Sequence, residues 1–326
     1  MVHIIDHGTW RLTPEDEGLH EPGPERLWNE SYYFDFATAD GSLAGYVRLG
    51  LYPRWGRAWY WACVTGTGRP LVILVDNDAP LPGPGSTGVH ADGYDATQSI
   101  DLPFGSATVA LDGRAVVLED ATAAYGDTSG AEKIHLGFDL RWDTIDGVYP
   151  YKDISRYEIP CTVSGTVTIG EETIAVTASG ERDHSWGERD WWSVSWLWSS
   201  GRLDDGTSFH GMQANLGFAI PWPSFTVPPG GRIEHRDGFT AETRFTAEDL
   251  PESSDLRVPG AAMKAVPVAF APVAVVSPDG RPAHFPRALC RFEAEDGRVG
   301  HGWTEWHQPP GWREHGWSHL AAEAGR

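Results

Sequence analysis

Residues 181–200 read ERDHSWGERDWWSVSWLWSS. Trp186, Trp191, Trp192, Trp196 and Trp198 share this stretch with His184 and two Arg-Asp pairs, Arg182-Asp183 and Arg189-Asp190. In an extended chain successive side chains alternate between faces. That alternation puts Trp192, Val194, Trp196 and Trp198 on one face and Ser193, Ser195, Leu197 and Ser199 on the other. Upstream, Asp183 and Ser185 share a face, and His184 and Trp186 share the opposite one. Gly187 permits a bulge or a sharp bend, which would gather acid and indoles around one cavity. A Trp-rich strand by itself is ordinary core, and adjacent Arg and Asp are ordinary ion pairs. The density of charge among the indoles sets this stretch apart, because charge is tolerated in an interior only when paired.

Working outward, the chain is a train of short strands broken by turns. GSLAGYVRLGLYP, RAWYWACVTG, RPLVILVDND, SATVALDG and RAVVLED follow at close spacing, each ending in Gly, Asp, Asn or Pro. IPCTVSGTVTIG and ETIAVTASG read as a hairpin turning at residues 169–172. A second turn is expected at residues 203–207, between WWSVSWLWSSGRL and TSFHGMQANLGF. Helical patterning is nearly absent. The two short helices to expect are around Asp249-Leu250-Pro251 and in the tail HLAAEAG. With 38 Gly and 24 Pro, the reading is all-β with little helix. It is laid out as two β-barrel or sandwich domains packed together, residues 1–179 and 180–326, with the motif at the junction.

Composition narrows the function classes. Lys and Arg total 25 against 46 Asp and Glu, a formal charge of −21. Such a surface repels phosphate backbones and anionic membranes, so nucleic acid is not an expected partner. No apolar run reaches 18 residues, so no membrane span is expected. MVHIIDHGTW lacks the pattern of a signal peptide, and the expected location is cytoplasmic. Cys63, Cys161 and Cys290 are far apart and form no CxxC pair, which argues against disulfides and zinc-thiolate sites. His301, His307 and His315 suggest metal only loosely; no HExxH, GxSxG or dinucleotide motif is present. No metal or other cofactor is expected. Sixteen tryptophans is the one gross excess, and Trp is a residue for burial or for ligand contact.

GERDHSWGERDWW resembles the central motif of the AttH-like, carotenoid 1,2-hydratase (hydroxyneurosporene synthase) superfamily. WNESYYFDFATADGSLAGYVRLGLYPRWGRAWYWACV is similar to that family's opening strands, and GRVGHGWTEW to its closing strand. The resemblance covers most of the chain and is nearer the uncharacterised soluble branch than the membrane-associated carotenoid enzymes. It implies two lipocalin-like β-barrel domains packed together, with a pocket at the central motif. The activities it implies are double-bond hydration, terpenoid cyclisation and pericyclic reactions. It also places Asp183 where the family's proposed acid sits.

Hydration, cyclisation or isomerisation of an isoprenoid or terpenoid begins by protonating an alkene. An ordinary Asp, with a pKa of about 3.9, must be raised to do this. Burial against indole raises it, and so does a second carboxylate, for which Glu181, Asp190 and Glu305 are candidates. The resulting cation is stabilised by aromatic faces. Trp186, Trp192 and Trp196 are candidates, with Tyr32 and Tyr33, and Arg189 is a further substrate-contacting candidate. His184 is the candidate base. The expected partner is a small apolar molecule handled without cofactor. The rival readings are a non-catalytic lipocalin-like carrier, a pericyclase working by shape alone, and a scaffold with a filled cavity. The oligomeric state is not legible.

Overall fold

The computed structural model describes residues 2–8, 11–215, 218–222, 224–259 and 261–315. Strands dominate, with three short 3-10 turns (Pro14–Glu17, Pro53–Trp55, Ala121–Tyr125) and one α-helical turn at Trp312–His315. The chain is all-β, as its turn-bounded apolar segments predict.

The first sheet holds β1 (Trp28–Ala37), β2 (Ala44–Tyr52), β3 (Arg57–Gly66), β4 (Arg69–Pro80), β5 (Val89–Ala91), β6 (Tyr94–Leu102), β7 (Ser106–Leu118), β8 (Lys133–Thr144), β9 (Tyr149–Pro150), β10 (Arg156–Ile169) and β11 (Glu172–Glu188). Their order is β4-β3-β2-β1-β11-β10-β8-β7-β6-β5, and a further pairing of β4 with β7 closes the main strands into a barrel. The second sheet holds β12 (Ser195–Leu203), β13 (Ser208–Asn215), β14 (Ala219–Pro221), β15 (Ser224–Val227), β16 (Glu234–Arg236), β17 (Thr240–Phe245), β18 (Pro251–Val258) and β19 (Ala261–Phe270). After a separate hairpin, β20 (Val273–Val276) and β21 (Pro282–Phe285), it is completed by β22 (Arg287–Ala294) and β23 (Val299–His307). Its order is β16-β15-β13-β12-β23-β22-β19-β18-β17. The Gln213 side chain accepts from the Ala241 N–H at 2.9 Å and donates to its carbonyl at 3.3 Å, tying β13 to β17.

Three apolar clusters follow, one inside each sheet's curve and one between the two. Strict alternation divides them. In β3, Ala58, Tyr60, Ala62 and Val64 point into the barrel, while Trp59, Trp61 and Cys63 point at the second sheet. In β1, Tyr32, Phe34 and Phe36 point in and Tyr33 and Ala37 point out. A strand buried on both faces reads as a continuous apolar run, which is why YYFDF and AWYWACV show so little polar punctuation. Polar ties cross the same contact. Tyr46 Oη donates to the Ala271 carbonyl at 3.0 Å, Trp303 Nε1 to the Phe36 carbonyl at 3.0 Å, and the Ile233 N–H to Asp146 Oδ2 at 2.7 Å.

The hairpin at residues 169–172 forms, with Gly170 at φ 62°. The turn at 203–207 is closed by the Leu203 N–H on the Thr207 carbonyl, 2.8 Å. The short helix expected around Asp249-Leu250-Pro251 does not form. Asp249 sits in a turn at φ 65° and Pro251 opens β18, because the residue before a proline is driven away from helical geometry. The helix expected in the tail HLAAEAG lies outside the described residues, as does the His315 side chain. β11 carries the chain through residue 180 unbroken, and the turn at 189–194 passes it to the second sheet.

Trp303 is fully buried between the sheets, with its ring edge-on to Tyr46 at 5.3 Å. Trp303→Ala is expected to cost about 3–5 kcal/mol of unfolding free energy, read as a lower urea midpoint. A loss under about 1 kcal/mol would show that the contact between the sheets does not limit stability.

Candidate active site

Side chains directly opposite in an antiparallel ladder point to the same face. In the first sheet one such row runs Arg48, Tyr33, Asp183, Glu158 across β2, β1, β11 and β10. In the second a row runs Arg287, Glu305, Trp198, Met212 across β22, β23, β12 and β13. The rows face each other: Trp198 meets Tyr33 edge-on at 5.5 Å, and the Arg287 guanidinium lies over the Tyr33 ring at 5.0 Å. Between them is a cavity of about 290 Å³, near the lower end of small-molecule sites. Trp191, Val194, Trp196, Trp222, Ile154 and Phe285 complete its apolar wall.

Asp183 reaches this cavity from β11 and is buried. Arg156 Nη2 donates to its Oδ2 at 2.8 Å, and Arg156 Nε to Glu158 Oε1 at 2.6 Å. Burial pushes the Asp183 carboxyl above the ordinary aspartate range, against the pull of Arg156 and Arg48. Behind Arg156 lies a buried ionisable cluster. His210 Nδ1 is 2.7 Å from Glu181 Oε1, and its Nε2 is 2.7 Å from Tyr151 Oη. Burial raises Glu158 and Glu181 well above the usual carboxylate range and pushes His210 down to about 4. Glu305, across the cavity, is held by Arg287 and by Trp196 Nε1 at 2.7 Å. Arg48 is clasped between Trp61 and Trp191, at 4.7 and 4.6 Å from the ring centres. Arg48 Nη1 and Arg287 Nε and Nη1 are buried without a hydrogen-bond partner among the described residues.

Of the residues singled out from the sequence, Asp183, Asp190, Glu305, Arg189, Trp196 and Tyr33 line the cavity. Arg189 spends its guanidinium on backbone carbonyls, those of Ser155 at 3.1 Å and Trp186 at 2.9 Å. Asp190 caps the turn through the Trp192 N–H at 3.1 Å and takes Arg281 at 3.3 Å. His184, Trp186, Tyr32 and Trp192 do not join them. His184 and Tyr32 stack on each other, ring centres 4.0 Å apart, on the barrel side of β11 and β1. Trp186 stacks on His20 at 3.8 Å. The cause is alternation: β11 stays extended to Glu188, so the bend comes too late to swing its second face into the cavity. Trp192 falls in the turn, not in a strand, and packs against Trp55 and Trp59. Trp191 takes the place at the cavity expected of Trp192.

Sequence reading missed Arg48, Arg156 and Arg287, which bring the cavity's positive charge. Arg48 had a signal, a lone charge within the apolar run GYVRLGLY. Arg156 and Arg287 had none short of strand register.

Solved structures share this architecture. The AttH-like protein from Nitrosomonas europaea matches with a TM-score of 0.62 at 14% identity, over 94% of this chain and 98% of that one. Kievitone hydratase from Nectria haematococca matches at 0.58 and 10% identity, over 95% and 97%. CghA matches at 0.52 and 12%, over 87% and 89%. The fold is therefore the AttH and carotenoid hydratase-like fold, and at these identities the likeness is one of fold. No curated protein matches the chain. A family model described as a domain of unknown function, DUF7064, matches residues 13–310, and the chain belongs to that family. No helix among the described residues is long and apolar enough to cross a membrane.

His210 supplies a pH test of the buried cluster. Its pKa falls from 6.5 to about 4 on folding. Its contribution to stability is thus complete above pH 6.5 and lost as pH falls toward 4, by about 3 kcal/mol. Asp35, raised to about 7 by burial, works in the opposite direction, so the comparison must be with a variant. Urea unfolding at pH 6.5 and 4.5 is expected to show a larger loss in the wild type than in His210→Gln. Equal losses would mean that His210 is not held neutral.

Proposed function

We propose that the protein is a cofactor-independent enzyme that protonates a carbon–carbon double bond of a small, largely apolar, isoprenoid- or terpenoid-like molecule. The outcome is hydration, cyclisation or isomerisation, in the lyase or isomerase class. The observation that carries this reading is Asp183: a buried carboxyl, raised by desolvation, at the wall of an indole-rich cavity. A carrier needs only shape, whereas a raised acid facing a ligand space is what general acid catalysis needs. One structural neighbour is named as a hydratase, which accords with the reading. Asp183 is the proton donor. Trp196 and Trp198 face the developing cation, each worth about 2 kcal/mol or more when desolvated. The unpartnered N–H groups of Arg48 and Arg287 take an oxygen of the substrate. His184, on the far face, is left without a role in proton transfer, and the base falls to Glu305 or to water.

Deuterium reports protonation whichever product follows. Purified protein is incubated in D2O with a panel of prenylated phenols and terpenoid alkenes, and products are read by mass spectrometry. The expected result is carbon-bound deuterium, with an added water where hydration ends the reaction. Asp183→Asn should slow this by about 10²–10⁴ with ligand affinity little changed. Tight binding with no label at all would favour the carrier. Full turnover in Asp183→Asn with a lowered melting temperature would make Asp183 a structural partner of Arg156 and move the acid to Glu305.

A further inference from the structure

The barrel side of β11 carries a second polar constellation, separate from the cavity. His184, from β11, and Glu30, from β1, meet His20, which follows the turn Pro14–Glu17. Glu30 Oε1 is 2.7 Å from His20 Nδ1 and 3.0 Å from His184 Nε2. Each ring is locked by stacking, His20 on Trp186 at 3.8 Å and 11° and His184 on Tyr32 at 4.0 Å and 15°.

Asp16 orders the outer nitrogens of both rings. Its backbone carbonyl lies 2.9 Å from His184 Nδ1, and its Oδ1 lies 3.4 Å from His20 Nε2. Tyr157 Oη, 3.2 Å from His184 Nδ1, itself donates to Glu17 and offers that ring only an acceptor. The outer nitrogen of His184 therefore carries a hydrogen donated to the Asp16 carbonyl, and its inner nitrogen is set against the anionic oxygen of Glu30, as is His20 Nδ1, whose ring has a carboxylate oxygen at each nitrogen. With a neutral His184, its inner lone pair would point at that carboxylate. With two imidazolium rings, like charges would sit with ring centres 5.5 Å apart. A single metal cation at the centre would accept the inner nitrogen of each ring and the carboxylate oxygen together.

We propose that His20, Glu30 and His184 bind one divalent transition-metal ion. The donor set is two imidazoles and a carboxylate, the combination that suits Zn²⁺, Fe²⁺ or Co²⁺. The three donor atoms lie within 4.8 Å of one another. Outer-shell oxygens on the far ring nitrogens are the usual support of a metal-ligating histidine. His20, only partly buried, gives the ion an entry path and leaves positions for water. The ion would fasten the turn at 14–17 to β1 and β11, directly behind Asp183. Sequence spacing offers no cue, since the ligands come from a loop and two distant strands.

The test uses the full chain, stripped with a chelator and titrated with Co²⁺, whose visible d–d bands report nitrogen and oxygen ligation. A parallel titration with Zn²⁺ follows the melting temperature. Expected are one saturable equivalent per chain at micromolar concentration and a higher melting temperature with metal. Both effects should be lost in His20→Ala and in Glu30→Gln and kept in His90→Ala, where His90 is an exposed histidine pairing with Asp95. The wild-type titration decides by itself if a variant fails to fold. Absence of saturable Co²⁺ binding, or binding that survives both His20→Ala and Glu30→Gln, overturns the proposal. A wild type whose melting temperature responds to pH but not to metal also overturns it and leaves the rings held by protons.

Discussion

The Arg156 guanidinium, shared between Asp183 at 2.8 Å and Glu158 at 2.6 Å, is the interaction on which the rest of the site depends. Asp183, Glu158 and Glu181 are all buried where the two sheets meet. A carboxylate in such a place must find a cation, share a proton or be neutral. Arg156 satisfies one oxygen on each of two of them. It thereby leaves the second oxygen of Asp183 free to face the cavity and isolates the Glu158, Glu181 and His210 cluster behind it. Without this residue the two rows of side chains would meet across uncompensated charge, and the contact between the sheets could not stay both buried and polar.

The same strand explains why one face of the motif belongs to the site and the other to the frame. β11 pairs with β1 on one side and β10 on the other, so its backbone is satisfied and its register is fixed. Asp183 and Ser185 then face the cavity, and His184 and Trp186 face the barrel. Gly180 has its own reason for being glycine: a Cβ there would come within 1.9 Å of the Asp35 carbonyl. The close approach of β1 holds Tyr33 beside Asp183, and Tyr33 is the ring through which the first sheet touches both Arg287 and Trp198.

How far the sequence could be read follows from how local each signal is. The fold class was legible because strand period and turn chemistry act over a few residues, as at Ile169 to Glu172. The two faces of residues 183–186 were legible for the same reason. What was not legible was distance along the chain at which the bend takes effect. Gly187 does adopt a positive φ of 108°, yet β11 continues one residue further, and the indoles divide between the cavity (Trp191, Trp196, Trp198), the packing around Trp59 (Trp192) and the barrel side (Trp186). Nor could any local pattern place Arg48 beside Tyr33, or Arg287 beside Glu305. Those neighbours are set by register between strands, and register is decided by the whole sheet.

The cavity is polarised along the strand order, and that bears on which molecule it would suit. At the β2 and β22 end, Arg48 already occupies the faces of Trp61 and Trp191, and Arg287 those of Tyr33 and Tyr46. Those rings are committed to resident cations and have little left to offer a cationic centre on a substrate. At the β10 and β13 end stand Trp198, Met212 and Trp222, and among the described residues no guanidinium lies over their rings. The charged lining sets Arg48, Arg156, Arg189 and Arg287 against Glu188, Asp190 and Glu305, with Asp183 holding the proton it donates. A neutral ligand, its oxygen toward Arg48 and Arg287 and its unsaturated carbon toward Trp198, would lay the double bond across Asp183, midway along the row.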